Sequence, residues 1–174
     1  MSQYLKAVFA GGCFWCTEST FAKVKGVMEV LPGYIGGEAY NANYEAVSTG
    51  RTAHYEAIEV TYDAALISYK ELLDVFWREI DPTDPDGQFA DKGPQYKSAI
   101  FYSTEDERLV AEASKQALAE SHIFSKPIVT EILPIKEFYI AEDYHCKYYE
   151  KNSMHYQLYR RASGREAFLK HYWN

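Results

Sequence analysis

The sequence lacks the features that are typical of proteins that bind membranes or nucleic acids. No apolar run approaches the roughly 20 residues of a membrane-spanning helix, and residues 1–6 show no secretory apolar segment followed by a small-residue cleavage site. The formal net charge is −7, and the pair Arg160 and Arg161 is too short to form a basic patch. We therefore expect a cytoplasmic protein that binds neither nucleic acid nor membrane.

Cysteine is scarce, with Cys13, Cys16 and Cys146 only. An odd, small number does not make a structural disulfide framework, and in a reducing compartment such thiols are catalytic, metal-binding or inert. A zinc site would need four ligands, and Cys146 with its neighbour His145 would be an awkward joint pair of ligands. We therefore expect no bound metal.

Internal repeats, low-complexity tracts and long Gly/Ser linkers are also missing from the 174 residues. The chain length suits one compact core, so we expect a single domain over residues 1–174. Tyrosine, by contrast, is abundant, with 16 residues. Amphipathic rings at a surface suit the binding of small or peptide groups, although tyrosine could equally replace Phe and Leu in a loop-rich fold.

The apolar pattern alternates between strands and helices. It predicts strands over residues 4–10, 54–62, 98–102 and 128–133, extended chain over 27–37, and helices over 13–24, 68–79, 104–120 and about 142–150. Ser68 and Thr104 each begin a capping-box pattern, and one or two helical turns are expected after Ser163. Residues 81–96 form a long loop of a kind that is often functional. The interleaving indicates an α/β or α+β sandwich.

Cys13 follows a predicted strand and the pair Gly11 and Gly12, so it is placed at or just before a helix N-terminus. Partial positive charge and free N–H groups at that position lower the pKa of a thiol, which predicts a reactive Cys13. The alternative is a buried, inert cysteine. Cys16 lies three residues further on and could form a redox disulfide with Cys13, or could simply be a small core residue.

Glu56 is an unusual carboxylate in the strand pattern, because the alternation places it on one face with Ile58 and Val60. If that face is the core side, desolvation raises the pKa of Glu56 and keeps it protonated as a general acid. A register one residue different would instead leave it solvated. Phe14 and Trp15, beside Cys13, could form an apolar wall for a methyl or thioether group, or could pack in the core.

Several dispersed motifs together resemble the A-type peptide methionine sulfoxide reductases over nearly the whole chain. The first is Gly12-Cys13-Phe14-Trp15 followed by Glu18. The others lie at residues 33–37 (GYIGG), 43–44 (NY), 48–50 (STG), 54–57 (HYEA), 81–83 (DPT), 91–98 (DKGPQYKS) and 141–145 (AEDYH). The resemblance implies a mixed β-sheet with flanking helices and long loops, in a two-layer sandwich with a ferredoxin-like core.

The resemblance also implies a role for each matched residue. Cys13 would attack the sulfoxide sulfur, and Phe14 and Trp15 would hold the substrate methyl group. The sulfoxide oxygen would be bound by Tyr44, Glu56 and Tyr96, with Glu56 as the acid that protonates it. Two further residues would complete the site: Asp91 supporting the substrate or Tyr96, and His145 lining the site near the C-terminal segment.

The implied reaction reduces the S-epimer of methionine sulfoxide, free or in proteins, to methionine, and so repairs oxidised proteins. It leaves Cys13 as a sulfenic acid, which a second thiol converts to a disulfide. Thioredoxin, or dithiothreitol in vitro, would then reduce that disulfide without a bound cofactor. We expect a monomer.

Many relatives carry resolving cysteines in a C-terminal tail, whereas here no cysteine follows Cys146. Cys16, Cys146 or an outside thiol must therefore resolve the sulfenic acid, and sequence spacing slightly favours Cys16. Two other functions stay open on the residues alone. One is a general disulfide oxidoreductase built on Cys13 and Cys16, and the other is a non-enzymatic binding module with aromatic clefts.

Overall fold

The computed structural model describes residues 1–173, which form eight strands and seven α-helices. The strands are β1 (Tyr4–Gly11), β2 (Val27–Ile35), β3 (Tyr55–Asp63), β4 (Gly87–Gln88), β5 (Asp91–Lys92), β6 (Ser98–Tyr102), β7 (Glu131–Pro134) and β8 (Phe138–Ile140). The helices are α1 (Phe14–Phe21), α2 (Tyr44–Ser48), α3 (Tyr69–Trp77), α4 (Glu105–Glu120), α5 (Tyr148–Lys151), α6 (Ser153–Ala162) and α7 (Arg165–Trp173). Single 3₁₀ turns lie at Ala39–Asn41, Pro94–Tyr96 and Asp143–His145.

Six strands form one sheet in the order β7-β6-β1-β3-β2-β8. Every neighbouring pair is antiparallel except β6 and β7, which are parallel. Strands β4 and β5 form a separate two-stranded ribbon. The structure thus confirms the prediction of a mixed β-sheet with flanking helices. No helix within residues 1–173 has the length and apolarity to cross a membrane.

Both faces of the central strands are buried. In β1, Ala7 and Phe9 pack into the larger apolar cluster, which includes Phe76 of α3, whereas Val8 and Ala10 pack into a smaller cluster on the opposite face. Because both faces of β1 are covered, its sequence is a nearly continuous apolar run rather than an alternation of apolar and polar residues.

Most predicted elements are present, with shifts at their ends. Ser68 forms the full capping box with Glu71, whose backbone N–H donates to the Ser68 hydroxyl while its carboxylate accepts from the Ser68 N–H. Thr104 caps α4, but the Glu107 carboxylate accepts from the N–H of Ser103 instead, so the second box is incomplete. The prediction of a strand over residues 128–133 was wrong about the first residue, because hydrogen-bonded pairing with β6 begins only at Glu131.

Five elements were not predicted, namely α2, α6, β8 and the two strands β4 and β5, which lie within the predicted loop over residues 81–96. Strand β8 has three residues and exists because it pairs with the edge of β2, so no local pattern marks it. Helix α2 has five residues and begins where the side chain of Asn43 accepts the N–H of Ala46. Elements this short depend on tertiary partners for stability.

The turn between β1 and α1 fixes the position of Cys13. Gly12 has a φ of +83°, and a Cβ at that position would lie 2.6 Å from the Cβ of Gln88. Only glycine fits this turn without strain. Arg165 of α7 holds the turn from below, since its Nη2 donates to the carbonyl of Gly11 at 3.0 Å. Strand β1 therefore ends where the C-terminal helices and residues 81–96 meet.

Candidate active site

A cavity of about 140 Å³ opens beside the first turn of α1. It brings together seven of the predicted site residues from four separate segments, and an eighth residue that was not predicted. The lining residues are Cys13, Phe14, Trp15, Tyr44, Glu56, Asp91, Tyr96 and Tyr159. The placement of these side chains is a finding, whereas their chemical roles stay predictions.

Cys13 is the N-cap residue of α1, and its side chain makes no capping hydrogen bond. The prediction that the helix N-terminus lowers its pKa is wrong for this structure. Burial raises the pKa of Cys13 well above its usual value, and the hydrogen bond to the Cys16 sulfur raises it further. Two of the helix N–H groups are engaged elsewhere, since that of Phe14 donates to Glu56 and that of Cys16 to the Cys13 carbonyl.

Cys16 lies directly behind Cys13, fully buried on the inner side of α1 and outside the cavity lining. Accepting the hydrogen bond of the Cys13 thiol lowers the pKa of Cys16 to about 6 against the effect of burial. The guanidinium groups of Arg165 and Arg160 lower it further. The interaction between the two thiols therefore raises the pKa of Cys13 and lowers that of Cys16, which makes Cys16 the stronger acid of the pair.

Glu56 occupies the core face of β3 as the alternation predicted, with Ile58 and Val60 fully buried on the same face. Its carboxyl is 2% exposed and accepts the N–H of Phe14 at 3.2 Å. Burial raises the pKa of Glu56 to about 8, against the effect of that hydrogen bond and with a further contribution from Asp91. At neutral pH Glu56 is therefore a neutral proton donor.

Tyr44 and Tyr96 present their hydroxyls from α2 and from the 3₁₀ turn Pro94–Tyr96. Burial raises the pKa of both phenols, so each stays a hydrogen-bond donor. The carboxylate of Glu142 holds α2 in place, because it accepts the backbone N–H of Tyr44 at 2.8 Å and the hydroxyl of Tyr34 at 2.7 Å. Glu142 lies in a motif that carried the family resemblance, but sequence reasoning gave it no role.

His145 is buried but does not line the cavity. Its Nδ1 accepts the indole N–H of Trp15 at 3.0 Å, and its ring packs against Phe14 and Tyr44. Burial lowers the pKa of His145, which keeps it neutral and able to accept. Tyr148 stacks on Trp15 with ring centroids 3.9 Å apart. His145 therefore orients the indole from behind rather than contacting the cavity.

Tyr159 of α6 is the cavity residue that sequence reasoning missed. Its hydroxyl donates to the carboxylate of Asp91, and its ring meets Trp15 edge-on at 5.8 Å. The tyrosine-rich composition of the tail was the one signal for it, and composition does not say which ring faces the site. Tyr159 closes the cavity on the side of the C-terminal helices.

Cys146 lies outside the cavity, half-buried at a separate surface depression that Glu18 and Lys147 also line. The Glu18 carboxylate accepts the backbone N–H of Lys147 through both oxygens, which fixes this segment against α1. Within residues 1–173 no group of three or more His, Cys, Asp and Glu side chains could hold a metal ion.

Comparison with known proteins gives one consistent family. A family model described as "Peptide methionine sulfoxide reductase" matches residues 5–174. A peptide methionine sulfoxide reductase MsrA of Halalkalibacterium halodurans is 51% identical over 168 residues, covering 97% of this chain and 96% of the relative.

Solved structures agree with that match. Mxr1 from Saccharomyces cerevisiae in reduced form aligns with a TM-score of 0.82 and 33% identity, over 87% of each chain. Mxr1 in complex with Trx2 aligns with a TM-score of 0.59 and 26% identity, over 81% of this chain and 83% of Mxr1.

The raised pKa of Glu56 leads to a prediction about the stability of the folded protein. The folded protein retains a proton on Glu56 up to a pH of about 8, whereas the unfolded chain releases it near its ordinary pKa of 4.5. Wild-type stability therefore falls as pH rises between these values. Glu56→Gln removes this titration and keeps an acceptor for the Phe14 N–H. Between pH 5 and 7.5, its unfolding free energy should rise relative to wild type by about 1–3 kcal/mol, measured in urea.

Glu59→Gln is the matched control, since Glu59 lies on the opposite face of β3 and pairs with Lys6. That variant should not show the same pH-dependent gain. A difference between Glu56→Gln and wild type that stayed constant with pH would contradict a buried, neutral Glu56.

Proposed function

Because this chain belongs to the peptide methionine sulfoxide reductase family, A-type, we propose that Cys13 attacks the sulfur of methionine sulfoxide in the described cavity. The chain is a thiol-dependent oxidoreductase that reduces methionine sulfoxide, which sets aside a general disulfide oxidoreductase and a non-enzymatic binding module. One observation carries the site assignment: the Cys13 sulfur and the neutral Glu56 carboxyl line the same small cavity.

The first requirement of the reaction is a donor for the sulfoxide oxygen. A sulfoxide is a good acceptor and a poor electrophile, so its sulfur becomes open to attack once the oxygen is hydrogen-bonded or protonated. Glu56, Tyr44 and Tyr96 supply three neutral donors around the same small cavity. Donors fixed in advance around a developing charge are an effective form of catalysis.

The second requirement is a thiolate at Cys13. Its thiol already hydrogen-bonds to the Cys16 sulfur, so the proton passes to Cys16 as Cys13 attacks. The oxygen moves from the methionine sulfur to the Cys13 sulfur, and two electrons move in the opposite direction. The products are methionine and a sulfenic acid on Cys13.

The cavity walls differ in chemistry, which supports recognition of one sulfoxide epimer. Trp15 and Phe14 form an apolar wall for the methyl group, the donors face the oxygen, and Cys13 faces the sulfur. Three unlike contacts around one sulfur distinguish its two configurations, and the family resemblance supports the S-epimer. A cavity of about 140 Å³ suits the end of the side chain alone, which agrees with substrates that are free or part of a protein.

We infer that Cys16 rather than Cys146 resolves the sulfenic acid. Cys16 lies one helical turn behind Cys13, since its backbone N–H donates to the Cys13 carbonyl at 3.1 Å, and its interaction with Cys13 lowers its pKa to about 6. Cys146 opens on a different depression and its pKa is raised by burial. Attack by Cys16 forms the disulfide and releases water. Thioredoxin would then reduce the disulfide, a choice that the solved complex of Mxr1 with Trx2 supports.

We also infer a ferredoxin-like core. The strands β1, β2, β3 and β6 with the helices α1 and α3 follow the order strand-helix-strand-strand-helix-strand, and they lie side by side as β6-β1-β3-β2. A single domain, a monomeric state, a cytoplasmic location and a role in protein repair stay predictions from the sequence.

The enzyme should convert the S-epimer of a methionine sulfoxide peptide to methionine in the presence of dithiothreitol and leave the R-epimer largely unchanged. Cys13→Ser should abolish the reaction, because the attacking sulfur is lost. Cys146→Ser is the matched control and should retain the methionine-releasing step, measured by chromatography of both epimers. An S-epimer that the wild type left untouched would overturn the proposal.

Glu56→Gln should slow the release of methionine in a single turnover by about 100-fold, a loss typical of removing a general acid. In the wild type, this step should slow as pH rises past about 8, because Glu56 then loses its proton. The variant should lack that decline, and Glu59→Gln should behave as wild type. An unchanged rate in Glu56→Gln would remove Glu56 as the acid.

Mass mapping after one turnover without reductant should find a disulfide between Cys13 and Cys16 in both wild type and Cys146→Ser. In Cys16→Ser we expect a persistent sulfenic acid on Cys13, which a dimedone adduct would report. A link between Cys13 and Cys146 in the wild type would show that the resolving thiol comes from the other segment.

A further inference from the structure

Glu18 belongs to the motif that begins at Gly12, and the reaction described so far gives it no role. It lies on α1 one helical turn after Trp15, so the two side chains leave the same face of the helix. Its side chain is buried, with the residue 2% exposed. Within residues 1–173 no Lys, Arg or His side chain forms an ion pair with it. A buried carboxyl without a cation costs free energy, and an apolar side chain would fill the position at lower cost.

The carboxyl of Glu18 binds one backbone group. Both of its oxygens accept the N–H of Lys147, each at 3.0 Å. Lys147 has a φ of +55°, in the left-handed region that residues other than glycine rarely adopt. It is also the residue that directly precedes α5. The hydrogen bond to Glu18 therefore fixes the backbone where an unfavoured conformation begins a helix.

Lys147 lies between the two residues that hold the ring of Trp15. His145, two residues earlier, accepts the indole N–H of Trp15 at 3.0 Å. Tyr148, the next residue, stacks on the indole with ring centroids 3.9 Å apart. We call His145 and Tyr148 the indole clamp. Because Lys147 joins the two, a shift of its backbone would move both parts of the clamp at once.

The imidazole of His145 depends on this backbone for its orientation. Within residues 1–173 its Nε2 is buried and has no hydrogen-bond partner, so the polar contact that orients the ring is the one through Nδ1. Glu142 anchors the chain three residues before His145. Glu18 anchors it two residues after, through Lys147. The position of the acceptor for the Trp15 indole is therefore set from both sides.

We propose that Glu18 is a positioning residue for substrate binding, which holds the indole clamp through the backbone of Lys147 and so keeps Trp15 as a wall of the cavity. Glu18 does not line the cavity itself, so it acts on the substrate only through these residues. The inference rests on the proposed function, since it requires that the sulfoxide methyl group bind against Trp15.

Three variants separate the hydrogen bond from the packing of the side chain. Glu18→Met fills a similar buried volume but removes the acceptor for the Lys147 N–H. Glu18→Gln removes the charge and keeps a carbonyl acceptor. Glu29→Met is the matched control, because Glu29 is an exposed carboxylate at the same surface depression.

Single-turnover release of methionine, measured against the concentration of sulfoxide peptide, gives a half-saturating concentration and a limiting rate. Glu18→Met should raise the half-saturating concentration about tenfold, a loss equivalent to one hydrogen bond to a charged group, and leave the limiting rate nearly unchanged. Glu18→Gln should restore most of the wild-type value, and Glu29→Met should match wild type. The urea midpoint of Glu18→Met should stay close to that of wild type, because removing a buried carboxyl offsets the lost hydrogen bond. A merely structural role would lower the midpoint and the limiting rate together.

The indole N–H of Trp15 gives a second measurement that does not depend on the reaction. In a nitrogen–proton correlation NMR spectrum its resonance is identified by its absence in Trp15→Phe, and the indole resonances of Trp77 and Trp173 serve as internal references. Glu18→Met should shift the Trp15 resonance and speed its exchange with solvent. Glu18→Gln should return both toward the wild-type values.

An unchanged Trp15 resonance or an unchanged half-saturating concentration in Glu18→Met would overturn the inference. Equal changes at all three indoles, or failure of Glu18→Gln to restore the Trp15 signal, would overturn it as well. Failure of the wild type to release methionine at all would instead count against the proposed function, and the NMR comparison would still report on the indole clamp. The two failures are therefore distinguishable.

Discussion

The turn through Gly11 and Gly12 at the end of β1 is the constraint on which the site depends. It is packed so closely against Gln88 that a side chain at Gly12 would have no room. Arg165 fixes the same turn through the Gly11 carbonyl. Because the turn cannot move, Cys13 begins α1 at one defined point, and Cys16 follows one helical turn behind it.

From this fixed point, the site separates neutral donors from negative charge. The side facing the cavity has protonated groups, namely the Glu56 carboxyl, the tyrosine hydroxyls and the Cys13 thiol, each kept neutral by burial. The side behind α1 has two arginines that favour the Cys16 thiolate. A sulfoxide needs donors on its oxygen and a sulfur nucleophile that is free of its proton. The hydrogen bond between the two sulfurs connects these two sides.

Aromatic rings hold Trp15 in place as one wall of the cavity. Trp15 is clamped by a hydrogen bond to His145, by stacking on Tyr148 and by the edge of Tyr159. These contacts come from the 3₁₀ turn Asp143–His145, from α5 and from α6, so the C-terminal third of the chain shapes the cavity without contributing a cysteine to it. The abundance of tyrosine in this segment finds its explanation there.

The sequence by itself determined the main strands and helices and the motif residues that meet in the cavity, because periodicity and local motifs encode them. The alternation grouped Glu56 with Ile58 and Val60, but only the structure decided that this face is buried. It did not determine the direction of the Cys13 pKa shift, the contribution of Tyr159, or the position of His145 behind Trp15. Those depend on which groups approach from distant segments. A helix N-terminus favours a thiolate locally, but burial and the interaction with Cys16 raise the pKa of Cys13, with smaller contributions from Glu56 and Asp91. These groups surround Cys13 only after folding.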